Sequence, residues 1–99
     1  MATIEQRIYD GNRAKEVLEN EAFSAAFTDI ENEVIEQWKQ SPARDEEGRE
    51  KLWQYLTLLQ KVKKQLQSTL ETGKLAQLEI QHQQSLLDRA KTGLASYFV

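Results

Sequence analysis

The chain has 99 residues, 39% of them apolar and 29% charged, with a formal net charge of −3 and no cysteine. That length suits one domain with a modest buried fraction, and the lack of Cys excludes disulfides, thiolate nucleophiles and thiolate metal sites. No stretch approaches the roughly 20 apolar residues of a membrane span, and the N-terminus Met-Ala-Thr-Ile-Glu-Gln-Arg has no apolar signal core, so the chain is expected inside the cell that makes it.

Four glycines and one proline, among many Gln, Glu, Lys, Leu and Ala, favour long helices over strands. Residues 1–9 carry only Ile4, Ile8 and Tyr9 as spaced apolar groups, so 1–11 is expected as an arm. Asp10 or Asn12, beside Gly11, then starts a short helix through Ala14, Val17 and Leu18. Asn20 is the expected N-cap of a helix over 21–40. There Phe23, Phe27, Ile30, Val34 and Trp38 follow helical spacing, and Ala22, Ala26 and Ile35 widen the stripe. Ser41-Pro42-Ala43-Arg44-Asp45 ends that first arm (12–40), because proline disfavours helix at the residue before it. Asp45 can cap the next helix, with Glu46, Glu47 and Glu50 near its positive end; a start at Ser41 with Pro42 as the first helical residue is the alternative. A connection this tight makes the two arms antiparallel neighbours.

The second helix is expected over 45–92, with 93–99 as a tail. Leu52, Leu59, Leu66, Gly73, Ile80, Leu87 and Leu94 recur every seven residues, and Leu56 and Leu70 thicken the first part. Gly73 is the one place for a break. The seam keeps its phase across it, which an inserted loop would usually lose, so the sequence predicts one continuous helix. A helix over 21–40 covers only about half of such an arm. The thin distal seam, interleaved with Gln77, Gln81, Gln83 and Gln84, therefore needs another chain. Ile80, Leu87, Leu94, Tyr97 and Phe98 are the expected oligomer or partner interface, while Phe23, Phe27, Ile30 and Trp38 are expected to pack on Leu52, Leu56, Leu59 and Leu66. The fold class is thus all-α, a single-domain antiparallel helical hairpin with a short N-terminal helix and a long, coiled-coil-like second arm.

Charge divides unevenly: residues 1–40 hold nine acids and four bases, and residues 41–99 hold seven acids and nine bases. The plain reading is complementary faces of the antiparallel pair; the sharper one is a basic strip for nucleic acid. Arg49, Lys61, Lys63 and Lys64 are the candidate nucleic-acid contacts, with acids interleaved and no recognition-helix motif around them. His82 is the sole histidine and has no companion ligands for a metal. The carboxylate clusters match no Ca²⁺ loop and suit helix starts and solvated faces. With no phosphate loop and no nucleophile–base arrangement, neither an enzyme nor a cofactor is expected. Trp38, Trp53 and Tyr55 are expected to plug the hairpin end; exposed, they would make it a docking surface.

The segment from Asn12 to Phe23, then Ser41-Pro42-Ala43-Arg44-Asp45, Gly48-Arg49-Glu50-Lys51-Leu52-Trp53 and Glu71-Thr72-Gly73-Lys74-Leu75-Ala76, resembles small proteins of tailed bacteriophages and prophages. The resemblance covers about residues 12–76 and implies a phage setting, often among virion-assembly genes, without catalytic residues to carry over. The expected function is accordingly a non-enzymatic phage structural or assembly protein, homo-oligomeric and in contact with other phage or host proteins. Its expected place is the host bacterial cytoplasm, with incorporation into the virion. The alternatives are a small DNA-packaging subunit and an inhibitor of a host defence protein.

Overall fold

The structure, a computed structural model, describes the backbone of residues 2–98 and the side chains of residues 2–93. Among the described residues there are three helices and no strand: α1 (Ile4–Glu19), α2 (Glu21–Gln40) and α3 (Glu46–Phe98). α1 and α2 run one after the other along α3 and antiparallel to it, which makes a helical hairpin measuring 82 × 25 × 19 Å. Its length is that of α3, whose 53 residues span about 80 Å at the ordinary helical rise.

Each helix start carries its own signal. The Thr3 hydroxyl accepts the Gln6 N–H at 3.1 Å and opens α1. Asn20, the only non-helical residue between α1 and α2, serves both. Its N–H donates to the Val17 carbonyl, and its side-chain oxygen accepts the Phe23 N–H at 2.9 Å. Asp45 opens α3 by accepting the Gly48 N–H at 3.1 Å, which places the cap where the sequence argues for it. Such caps satisfy amide groups that have no partner within the helix.

The first correction to the sequence reading falls at the N-terminus. Residues 4–11 are not an arm but the opening turns of α1, with Ile4, Arg7 and Ile8 half-buried. Gly11 starts nothing. It is the point where α1 touches α3, against Gly73, and both glycines are buried. An ideal Cβ built on Gly11 would stand 2.8 Å from the Gly73 Cα, and one on Gly73 would stand 2.8 Å from the Gly11 Cα and 3.0 Å from the Arg7 carbonyl oxygen. Ala14 and Ala76, 4% and 1% exposed, flank the contact and let the two backbones stay close beyond it. Glycine in the middle of α3 therefore does not break the helix. The roughly 1 kcal/mol of lost helix propensity is offset by dispersion contacts that only a bare backbone can make.

The α2–α3 half is more loosely filled. Phe27 is the one buried residue of α2, with Phe23, Val34 and Ile35 half-buried against the half-buried Leu52, Leu56, Leu59 and Leu66. Ile30 and Trp38, expected in that core, are exposed by 46% and 42%. The Lys63 ammonium takes a seam position and lies 5.7 Å from the centre of the Phe27 ring, so the α3 stripe meets an aromatic face where the spacing calls for a leucine. The seam then continues through Leu66, Leu70, Gly73, Ala76 and Ile80 under α1.

Replacing Gly73 by Ala should destabilise the protein by about 1–3 kcal/mol, despite alanine's better helix propensity, because the methyl has no room. Thr72→Ala, one position away on the exposed side, should be neutral or stabilising by up to about 0.5 kcal/mol. Urea unfolding followed by helical circular dichroism would separate the two; a stabilised Gly73→Ala protein would refute the close contact.

Candidate interaction surface

The hairpin leaves the distal end of α3 without an internal partner. The Gly11–Gly73 contact fixes the register, and seven residues further along each antiparallel helix Ile4 comes level with Ile80. α1 therefore ends where Ile80 sits, and Ile80 is half-buried. Ile80, expected to serve another chain, thus lies level with the first turn of α1, which reaches further along α3 than sequence periodicity alone suggests. Beyond it α3 continues for about 27 Å.

In this overhang every described residue from 81 to 93 is exposed, including Leu86 at 49% and Leu87 at 61%. Leu87 continues the seam. Leu75 and Leu78, exposed by 66% and 59%, share with Leu86 the opposite face of the helix, away from Gly73 and Ala76. Distal α3 thus presents leucine on two opposed sides. Sequence reading singled out the heptad series and missed the second stripe, although the spacing of Leu75, Leu78 and Leu86 carries the signal. The expected interface residues Leu94, Tyr97 and Phe98 lie outside the residues whose side chains are described.

At the other end Trp38, Trp53 and Tyr55 do not form a buried plug. Trp53 and Tyr55 are each 57% exposed, and Trp38 and Trp53 border a groove of about 270 Å³ with Val34, Ile35, Leu52 and Leu56. What closes the hairpin is Arg49. Its Nη1 donates to the Trp38 carbonyl (3.0 Å), the Ser41 carbonyl (3.1 Å) and the Ser41 hydroxyl (2.8 Å). The guanidinium carbon also lies 4.1 Å from the centre of the Trp38 ring. Arg49 gives the Ser41 carbonyl its donor and adds a charged donor to the Trp38 carbonyl, which already accepts the Ser41 N–H and hydroxyl, and it favours the negative end of α2. Of the four candidate nucleic-acid contacts it is engaged within the fold, and Lys63, though exposed, lies over the Phe27 ring, while Lys61 and Lys64 are exposed on α3.

Charge does not act as the complementary-face reading expects. Among the described residues the ion pairs are Arg13–Glu16, Lys15–Glu19, Lys51–Glu47 and Lys74–Glu71, each three or four residues apart on one helix and none between arms. Exposed pairs of this kind contribute little. Arg13 is held above its ordinary value by its bond to Tyr9 first and by Glu16 second, so it stays cationic under all ordinary conditions. His82 is exposed on distal α3, and no group of three His, Asp or Glu among the described residues is placed to share a metal ion. No helix among them is long and apolar enough to cross a membrane.

Comparison with protein-family models, with curated proteins and with solved structures finds no match to this chain.

Arg49→Ala should cost about 1–3 kcal/mol, through the lost charged hydrogen bonds to Ser41 and Trp38 and a lost stack on Trp38. Arg49→Lys should recover less than half of that, since an ammonium cannot reproduce the fork and the planar stack together. Denaturant midpoints of the two variants check this; a lysine variant as stable as the native protein would show that only charge matters.

Proposed function

We propose that the protein is a non-enzymatic phage structural or assembly component, working through helix–helix contact made by distal α3. The observation that carries this reading is the overhang beyond Ile80, where Leu86 and Leu87 project into solvent, with Leu75 and Leu78 exposed on α3 just before it. Large apolar side chains grouped on a surface mark an interaction site, and a helix that continues out of a packed hairpin offers them already in helical form. That reduces the entropy lost on binding. The phage setting rests on the sequence resemblance over about residues 12–76. In that setting the protein is made in the host cytoplasm and carried into the particle.

A second reading, a DNA-packaging subunit, draws on one further observation: residues 51–70 of α3 hold Lys51, Lys61, Lys63 and Lys64 and no acid. Phosphate contact by these lysines would make binding fall steeply with salt. A compact interleaving of acids on the neighbouring α2 weakens that field, and the leucine overhang plays no part in it.

The assembly reading predicts the chain at many copies in purified phage particles, detected by mass spectrometry. The double variant Leu86→Glu, Leu87→Glu should be lost from particles by more than tenfold, while its helical melting curve stays that of the native protein, because both sites are exposed. Particles without the chain, or undiminished incorporation of the double variant, would refute the role assigned to distal α3.

A further inference from the structure

A different surface, at the hairpin's closed half, carries an inference of its own. We infer that α2 and the facing part of α3 pair with the same helices of a second copy, as a parallel two-fold dimer forming a four-helix bundle.

Area is the first argument. The chain exposes 8190 Å², whereas a compact monomer of its mass would expose about 5,800 Å². A standard two-fold interface removes about 800 Å² from each copy, so the excess accommodates one such interface and leaves the distal overhang for another partner. The α2–α3 half is also where the core is thinnest, with Phe27 the one buried residue of α2.

The face is set by the helical screw. Antiparallel neighbours turn their flanking residues toward the same side, which places Ile30 of α2 beside Tyr55, Leu58 and Val62 of α3. The four are exposed by 46 to 60%. The groove between Ile35 and Trp53 opens on the other side.

Charge selects the occupant and its orientation. α2 carries five acids and one base, while residues 51–70 of α3 carry four lysines and no acid. Phe27 is level with Lys63, and Trp38 shares its groove with Leu52, so the same register sets Asp29 level with Lys61. Neither Asp29 nor Lys61 belongs to one of the ion pairs among the described residues. When two such faces meet about an axis parallel to the helices, α2 of each copy lies against α3 of the other. Asp29 of one then meets Lys61 of its mate along each rim, and all adjacent helices are antiparallel. An axis across the helices would set acid against acid and lysine against lysine, which is unfavourable. In the favoured arrangement both closed ends point one way and both distal overhangs the other. A second copy supplies both the apolar face and the opposite charge at matching heights. This pairing does not depend on the role proposed for the distal leucines.

Light scattering of the full chain at roughly 100 µM, well above the Kd of an ordinary interface, should give twice the 11.5 kDa chain mass. Leu58→Glu should halve that mass and leave the helical signal intact, because the native side chain is exposed. Leu86→Glu with Leu87→Glu should remain dimeric. Asp29→Lys should raise the dissociation constant about tenfold, and adding Lys61→Asp should restore it. Spin labels on Ala43→Cys, in a chain with no other cysteine, should lie within about 25 Å of each other; the crossed orientation would put them about 40 Å apart. A single-chain mass for the native protein, a dimeric Leu58→Glu variant, no rescue by the charge swap, or the longer label distance would each overturn the proposal.

Discussion

Two backbones meeting at Gly11 and Gly73, with no side chain between them, set the geometry on which the remainder of the hairpin depends. The contact fixes how far α1 slides along α3, and so fixes that α1 gives out at Ile80. It also draws the helices close enough that Ala14 and Ala76 are nearly sealed, although neither carries much apolar volume. Packing by small residues depends on shape more than on transferred area, since every atom must find a neighbour at van der Waals distance. A methyl group too many at one point would displace the whole length of α1. The looser α2–α3 half, filled by larger side chains with gaps beside them, has more freedom to adjust.

The two halves consequently present different surfaces. Where the backbones are close, small residues fill the seam, and the exposed apolar side chains, such as Tyr9, Leu75 and Leu78, lie away from it. Where larger residues hold the arms apart, Ile30, Leu58, Val62 and the tryptophans stay partly in water. Arg49 closes the second region with directional bonds to backbone carbonyls, which fixes the turn without burying the aromatic rings. The distal overhang makes a third region, a continuation of α3 whose described residues are all exposed. Large apolar groups thus stay in water at both ends of the molecule.

Much of this was legible in residue order. The Asn20 and Asp45 caps, the stop before Pro42 and the uninterrupted seam through Gly73 follow from local chemistry, since a cap or a proline acts within one helical turn. The N-terminal helix was not legible as such. Ile4, Ile8 and a glycine look like a weak arm until Gly73 supplies the surface they pack on. The signal existed as a repeated pattern, Gly11 with Ala14 and Gly73 with Ala76, each three residues apart. Small residues announce a close approach only when both halves of the pair are considered together. The tryptophans misled for a related reason: their size argues for burial, but whether a ring is covered depends on how far apart the arms stand.

Sequence by itself determined the helices, their caps, the antiparallel turn and the seven-residue stripe, because each arises from interactions spanning a few residues of one chain segment. Only the tertiary structure decided how far that stripe is covered, which leucines remain outside it and that Arg49 belongs to the turn. Those outcomes depend on the sliding register of one helix against another. Two glycines brought together across the hairpin set that register, and no local pattern encodes the distance between them.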